Sequence, residues 1–310
     1  MSEIELVCTE LGPALDLLRA AGFRIDLIYP ADSPHTAVLA KDGATVRLTS
    51  KPGAPLADAL APFTPEFVLT RGSETSGAGR AGMLYRDLIP SRLGGRYIAS
   101  HIQIPGGGAV SDWVHYHQVR FQMIYVRSGW VQVVYEDQGE AFVMEAGDLV
   151  LQPPEIRHRV LESSVGLEVV EVSCPALHPT FADHEMELPN RIGDPKRTYS
   201  GQRFLRHIGS QTPWTPFLSG ESQESGIHEA TGGIAQVRTV RTTGMPVAFP
   251  PHSGELVFGF VLSGSARLDC HGERLVEPSD SFVIPPSECW SIEAASDDLQ
   301  FLHVTTAALD

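Results

Sequence analysis

Three histidines and one glutamine stand at spacings that suit a metal site. His115 and His117 are separated by one residue, Gln122 follows them, and His158 lies well downstream. Side chains alternate between the two faces of a β-strand, so a histidine pair at positions i and i+2 points to one face. Neutral imidazole is the commonest protein ligand for Zn, Fe, Ni and Cu. We therefore predict that these four side chains bind one divalent metal ion.

The same alternation predicts which side chains surround the metal. Trp113, Ile124 and Val126 share the inward parity of the ligand strands and are expected to line an apolar substrate pocket. Arg120 lies in the turn between the ligand strands, where it is expected to meet a substrate carboxylate. His101 precedes them on another predicted strand. Arg120 and His101 are therefore the predicted catalytic side chains.

Composition excludes several classes of function. The 23 basic and 38 acidic side chains give a formal net charge of −15, which argues against binding to nucleic acids or anionic membranes. The four cysteines form no C-x-x-C pair, which favours a reducing, cytoplasmic environment. No apolar run approaches the ~18 residues that a membrane span requires. We expect a cytoplasmic protein whose partner is a small-molecule substrate.

Residues 1–55 predict a small module of a strand, a helix and three strands. Leu11–Ala21 has helical apolar spacing and ends at Gly22, a natural helix cap, and Lys41-Asp42-Gly43 is typical of a hairpin turn. This βαβββ order resembles one module of the vicinal-oxygen-chelate, or glyoxalase-like, superfamily. Members of that superfamily pair two such modules. A lone module with an unpaired sheet edge predicts an accessory role and a homodimer.

Two strand-rich segments, 95–178 and 231–310, repeat one pattern. Gly147 precedes His158 by 11 residues, Ser279 precedes Trp290 by 11 residues, and each interval contains a Pro-Pro pair. Such matching indicates an internal duplication. The stretch 56–94 is predicted to be a connector, and 179–230 a linker with lead-in strands.

The repeated pattern resembles the cupin superfamily, and specifically a bicupin with a metal site in its first barrel only. The family's two motifs are matched in order by His115, His117, Gln122 and Gly129, and then by Gly147, Pro153 and His158. The resemblance implies a mainly β fold with two antiparallel jelly-roll barrels, here preceded by the α+β module. It also implies one divalent ion per chain, with Fe(II) favoured and Zn, Ni or Mn as alternatives.

The second copy departs from the family's ligand positions. Counting back from Gly264, the counterparts of His115, His117 and Gln122 are Pro250, His252 and Val257, and Trp290 replaces His158. We therefore predict a degenerate barrel that holds no metal. The alternative is an acid–base pair formed by His252 and the nearby Glu255.

Gln122 bears on the predicted chemistry, because most family members have glutamate at this position. Three neutral imidazoles and a neutral amide leave a divalent site with its full +2 charge, which favours an anionic, chelating substrate. The resemblance implies a dioxygenase-type oxidoreductase that oxidises such a substrate with O₂. Two alternatives stay open: a non-redox lyase, isomerase or hydrolase that uses the metal as a Lewis acid, and a small-ligand sensor without catalysis.

Overall fold

The computed structural model describes residues 3–53, 60–78, 83–191, 193–194, 196–242 and 244–308. The chain is mainly β, as the sequence predicts, and its strands form four sheets. No helix within the described ranges has the length and apolar character needed to cross a membrane.

The N-terminal module has the predicted order of elements. It consists of β1 (Glu3–Val7), α1 (Leu11–Ala20), β2 (Arg24–Tyr29), β3 (Thr36–Lys41) and β4 (Ala44–Thr49). Gly22 has a φ of +89°, and its N–H donates to the carbonyl of Arg19 at 2.9 Å, so the predicted helix cap is confirmed. The sheet order is β1-β4-β3-β2, with β1 at the outer edge and parallel to β4. Leu11, Leu39 and Leu48 are buried between α1 and this sheet.

Fourteen strands follow the N-terminal module, and all of them except β5 belong to the two sheets of the first barrel. They are β5 (Val68–Thr70), β6 (Gly77–Ala78), β7 (Leu84–Asp87), β8 (Ile98–Ile104), β9 (Gly108–Ala109), β10 (His115–His117), β11 (Phe121–Ser128), β12 (Trp130–Tyr135), β13 (Phe142–Glu145), β14 (Leu149–Leu151), β15 (His158–Ser163), β16 (Leu167–Cys174), β17 (Thr180–Ala182) and β18 (Leu205–His207). One sheet runs β17-β10-β15-β12-β13 and the other β18-β14-β11-β16-β8-β7-β6, while β5 belongs to the second barrel.

The second barrel repeats this arrangement. Its elements are β19 (Thr215–Phe217), β20 (Gly220–Glu224), α2 (Ile227–Ala230), β21 (Ala235–Arg241), β22 (Val247–Phe249), β23 (Leu256–Ser263), β24 (Ala266–Asp269), β25 (Glu273–Val276), β26 (Ser281–Val283), β27 (Trp290–Glu293) and β28 (Gln300–Thr306). One sheet runs β19-β20-β21-β28-β23-β26-β5, and the other β22-β27-β24-β25. Short 3₁₀ turns occupy Arg92–Gly94 and Gly209–Gln211.

Equivalent turns in the two barrels confirm the internal duplication. Gly129 and Gly264 have φ values of +76° and +71°, and a Cβ on either would meet a serine hydroxyl within 2.5 Å. That hydroxyl belongs to Ser164 in the first barrel and accepts from the Trp130 N–H, as Ser296 accepts from Ser265 in the second. Only glycine fits such a position, which explains its repetition in the sequence.

The two barrels exchange strands through the segments that precede them in sequence. β5 precedes the first barrel but pairs with β26 of the second, and β18 precedes the second barrel but pairs with β14 of the first. Asp148 accepts from the Gly209 N–H at 3.0 Å, and its counterpart Asp280 accepts from the Gly72 N–H at 2.6 Å. The stretches 56–94 and 179–230, interpreted from sequence as connector and linker, therefore contribute strands that hold the barrels together.

The largest buried cluster lies between the barrels. Phe121, Met123 and Tyr125 on β11 pack toward Phe258 and Phe260 on β23, away from the interior of their own barrel. Both faces of β11 are thus buried, one inside the barrel and one against the neighbouring barrel. This burial explains why the strand has few exposed polar positions.

A buried ion pair joins the barrels beside this cluster. Nε and Nη2 of Arg96 donate to the Glu255 carboxylate at 2.8 and 2.6 Å, and the side chains are 10% and 9% exposed. The Tyr97 hydroxyl also donates to Glu255 at 3.1 Å. Glu255 therefore holds the two barrels together, and its described hydrogen bonds involve Arg96 and Tyr97 instead of the predicted acid–base partner His252.

We predict that Glu255→Ala destabilises the protein by about 3–5 kcal/mol, because it removes the carboxylate that compensates the buried Arg96 charge. The control is Glu273→Ala, which removes the partner of Arg267 in an ion pair with both side chains at least half exposed and is expected to cost less than about 1 kcal/mol. Urea unfolding followed by fluorescence measures both effects. Equal unfolding midpoints for the two variants would contradict this role of Glu255.

Candidate metal centre

The three predicted histidine ligands converge inside the first barrel. His115 on β10 lies directly opposite His158 on β15 in the strand pairing, and His117 follows on the same face of β10. One ring nitrogen from each histidine lies within 4.8 Å of the other two. The three residues are only 2%, 9% and 5% exposed for His115, His117 and His158 respectively.

The outer nitrogens of all three rings have hydrogen-bond partners. Nδ1 of His115 lies 2.8 Å from the Trp113 carbonyl, and Nδ1 of His158 lies 3.0 Å from the Ile156 carbonyl. Because a carbonyl only accepts, both Nδ1 atoms carry the proton and leave Nε2 with its lone pair. The Thr180 hydroxyl lies 3.1 Å from Nδ1 of His117, and a hydroxyl can either donate or accept. These outer contacts orient all three rings, and the two carbonyls also fix the tautomers of His115 and His158.

The residues present fit a divalent ion on these grounds. Three neutral imidazoles present lone pairs to one buried point, and Asp112 lies 3.5 Å from Nδ1 of His115, where a carboxylate strengthens a histidine ligand. Three protein nitrogens leave coordination positions for a substrate or a fourth donor. The described part of the chain contains no second group of this kind.

Gln122 belongs to a chain of hydrogen bonds at the edge of this site. Its amide nitrogen donates to Glu171 at 2.8 Å, and its oxygen accepts from Gln152 at 3.1 Å. Gln152 in turn accepts from the Tyr135 hydroxyl at 2.6 Å, and its amide nitrogen lies 3.4 Å from Nε2 of His158. A carbonyl oxygen has two lone pairs, so Gln122 retains one after bonding to Gln152. Its role as fourth metal donor stays a prediction.

The histidines open into a cavity of about 120 Å³ within the barrel. Its walls are mostly apolar side chains from β8, β11, β12 and β16, including Ile124, Val133 and Val169. Besides the three histidines and the tyrosines Tyr85 and Tyr135, the polar residues that line it are Asp32, Ser100, Gln122, Gln152, Glu171, His178 and Thr180. This combination of an apolar chamber and a few convergent polar groups is typical of small-molecule sites.

Two chemically active side chains at this cavity were missed by the sequence prediction. Glu171 lies opposite Ile124 in the strand pairing of β11 and β16, and it lines the cavity. His178, which the sequence pattern did not single out, is 3% exposed, and its ring centroid lies 5.5 Å from that of His117. Burial lowers the pKa of His178, while the carboxylates of Glu171 and Asp32 act in the opposite direction. Leu167, Val169 and Glu171 share one parity, so a carboxylate in an otherwise apolar series was the available signal.

The two predicted catalytic residues lie away from the cavity. Arg120 is exposed and borders a separate surface cavity, where the Gln202 amide donates to its carbonyl at 2.6 Å. His101 faces the second barrel, with Arg86 at 3.1 Å and Glu168 at 2.9 Å from its two ring nitrogens. Burial lowers the pKa of His101 there, opposed by Glu168. Its strand neighbours Ser100 and Ile102 line the cavity, so alternation turns His101 to the other face.

The three predicted pocket residues are distributed differently. Ile124 lines the cavity, whereas Trp113 and Val126 are not among its lining residues. Trp113 precedes β10, where strand alternation does not yet apply, and its ring packs edge-on against His115 at 5.2 Å. Val126 is fully buried in the apolar cluster of the same barrel, next to a bulge in β11.

The interior of the second barrel is filled by aromatic rings. Phe249 lies opposite Trp290, as His115 lies opposite His158, so the counterpart of His115 is Phe249 and not Pro250. The Phe249 and Trp290 rings stack at 3.7 Å. His303, next to this stack, is fully buried, and burial lowers its pKa to about 3. The second barrel thus presents a packed aromatic core where the first presents histidines.

Comparison with known proteins agrees with this architecture. Residues 100–172 match the family model of the cupin domain, so the chain contains a cupin domain around its histidine cluster. No curated protein matches the chain. Among solved structures, protein Ylba from E. coli aligns with a TM-score of 0.57 and 10% identity, over 82% of this chain and 96% of that chain. Oxalate decarboxylase from Bacillus subtilis at pH 4.6 aligns with a TM-score of 0.56 and 13% identity, over 81% and 78% of the two chains. These likenesses show a shared fold.

We predict that His158→Ala loses the metal, because two remaining imidazoles hold a divalent ion much less tightly than three. Elemental analysis of the purified protein should fall from about one metal per chain to near zero. His271→Ala removes an exposed histidine of the second barrel and should keep the full metal content. Full metal content in His158→Ala would contradict the assignment.

We also predict that Thr180→Val weakens metal affinity about 10–100-fold, because it removes the hydrogen bond that orients His117. The matched control is Thr212→Val, which removes a similar contact of 3.3 Å to Nδ1 of His207, outside the cavity. Competition with a chromophoric chelator measures both affinities. Equal affinities in the two variants would show that Thr180 does not support the site.

Proposed function

We propose that the protein is a mononuclear metal-dependent enzyme that acts on a small, chelating, anionic substrate in the first barrel. The observation that carries this proposal is the convergence of three buried histidine Nε2 atoms on a cavity that also contains a carboxylate, Glu171. A divalent ion held by His115, His117 and His158, with Gln122 as the proposed fourth donor, would supply a Lewis acid for substrate oxygens. Because all these protein donors are neutral, the site favours an anion.

Glu171 is the side chain best placed to accept a proton from the substrate. Its Oε1 atom accepts from Gln122 at 2.8 Å and from Ser173 at 3.0 Å, which fixes the carboxylate at the cavity wall. A general base must be held within reach of the bound substrate, and Glu171 lines the same chamber as the metal ligands. Gln122 replaces the glutamate that most cupins have at this position. Glu171, which is hydrogen-bonded to Gln122, therefore supplies a carboxylate next to that position.

This arrangement favours the non-redox chemistry among the predicted alternatives. A lyase or isomerase reaction needs a Lewis acid to stabilise negative charge on substrate oxygens and a base to move a proton. With a divalent ion bound to the histidines, the first barrel would offer both in one apolar chamber, which would strengthen their electrostatic effect. The dioxygenase implied by the sequence resemblance is the second candidate, because neutral imidazole ligands also suit Fe(II).

The structural neighbours are compatible with a small anionic substrate. Several of them are oxalate decarboxylases, and oxalate is a small chelating dianion. The shared fold can therefore accommodate a substrate of the proposed kind, although at 13–14% identity the likeness supports the fold alone.

The homodimer and the cytoplasmic location expected from the sequence stay predictions. The outer edge of the N-terminal module supports the dimer, since Ile4 and Val7 on β1 are 53% and 63% exposed and β1 has no neighbour on its outer side among the described strands. Open sheet edges with apolar side chains favour pairing with another chain.

We predict that Glu171→Gln lowers turnover about 10²–10⁴-fold while the metal content stays at one per chain, because the variant keeps the shape of the cavity and loses the base. The control is Glu162→Gln, an exposed position on β15. The assay follows consumption of oxalate, oxaloacetate, malonate and 2-oxoglutarate by NMR, with and without O₂. Turnover without O₂ supports the non-redox reaction.

Consumption that requires O₂ in stoichiometric amounts would contradict the non-redox proposal and favour the dioxygenase. Tight binding of one of these acids without turnover would favour the sensor. Full activity of Glu171→Gln, with or without O₂, would show that Glu171 does not act in the reaction.

A further inference from the structure

We propose that Asp32 of the N-terminal module and His178 of the first barrel form a recognition site for a hydrogen-bond donor on the substrate, a hydroxyl or an ammonium group. This inference rests on the proposed function and specifies its substrate class. The substrate would bind the metal through a carboxylate and present its donor group to Asp32 and His178.

The N-terminal module reaches the cavity because its sheet continues into the first barrel. β2 pairs with β17, which pairs in turn with the histidine strand β10. The loop after β2 is anchored to the barrel by the Ala31 N–H, which donates to the His178 carbonyl at 3.1 Å. As a result, Ala31 and Asp32 form part of the cavity wall.

Asp32 is held in place by one oxygen and presents the other without a partner. Oδ2 accepts from Arg92 at 2.7 Å. Oδ1 is buried and accepts no hydrogen bond from any described residue. Arg92 also binds Asp87, so its guanidinium is fixed from two sides. The ion pair with Arg92 therefore positions the Asp32 carboxylate through Oδ2 and leaves Oδ1 available to a ligand.

His178 has the same division between a fixed atom and an unpaired one. Nδ1 lies 2.9 Å from the Pro175 carbonyl, and because that carbonyl only accepts, Nδ1 carries the proton. In the neutral ring Nε2 is then an acceptor. This Nε2 atom is buried, since His178 is only 3% exposed, and no described residue forms a hydrogen bond with it.

Two unpaired acceptors at one cavity define the chemistry of the missing partner. Buried polar groups are almost always hydrogen-bonded, and an unmade bond is costly. A carboxylate oxygen and an imidazole lone pair both call for a donor, and both repel a further carboxylate. A hydroxyl or ammonium group satisfies them, and a plain dicarboxylate does not. The N-terminal module would thus determine substrate specificity in addition to any role in assembly.

Succinate, malate and aspartate test this inference, because they share a four-carbon dicarboxylate skeleton and differ in having no donor, a hydroxyl or an ammonium group. The probe is Co(II)-loaded protein, titrated by its visible spectrum after elemental analysis has established one metal per chain. We expect malate or aspartate to bind at least tenfold more tightly than succinate, and the preferred acid identifies the donor. Asp32→Asn and His178→Phe should reduce that preference to less than threefold.

Asp16→Asn is the matched control, since it changes an exposed carboxylate of the same N-terminal module outside the cavity lining. It should keep the preference of the parent protein. Equal affinities for the three acids, including no detectable binding of any, would overturn the inference, as would an unchanged preference in Asp32→Asn. Failure to bind Co(II) at all would instead overturn the proposed metal enzyme.

Discussion

The site depends on the hydrogen bonds that hold the outer nitrogens of three histidine rings. The carbonyls of Trp113 and Ile156 fix two of these rings, and Thr180 contacts the third. Each contact holds its ring so that the opposite nitrogen points toward one region of the barrel, where the three histidines could share a metal ion. Strand pairing supplies the remaining precision, because His115 and His158 are direct neighbours across β10 and β15. The surrounding apolar walls would strengthen the field of a divalent ion bound there.

The second barrel shows what the same scaffold becomes without these ligands. Its turn glycine, its serine contact and its buried aspartate all repeat those of the first barrel. The pair Phe249–Trp290 nevertheless occupies the positions of His115 and His158, so the interior is filled by stacked rings. The large apolar cluster and the Arg96–Glu255 pair join this barrel to the outer face of the first-barrel sheet that contains β8, β11 and β16. We infer that it supports the shape of the first barrel. That the second barrel holds no metal stays a prediction.

The sequence predicted the features that depend on local spacing. The histidine pair, the duplicated turns and the helix cap at Gly22 each follow from a few neighbouring residues. The face of His101 could not be predicted, because both faces of β8 are buried and the sequence shows no alternation. Counting back from Gly264 gave Pro250 as the counterpart of His115, but the structure gives Phe249. The difference arises because the second copy has one more residue before its glycine turn. Asp32 is brought to the cavity by the β2–β17 pairing, a tertiary contact that leaves no local pattern, and His178 lies in the loop before β17.

X-ray absorption spectroscopy of the protein purified without added metal tests the central claim most directly. The account predicts about one metal per chain with three imidazole nitrogens in its first shell, at about 2.0–2.1 Å if the metal is zinc. Oxygen donors from Gln122, substrate or water would complete the shell. A metal-free protein whose three histidines bind no added divalent ion would contradict the account, and so would a first shell of sulfur donors.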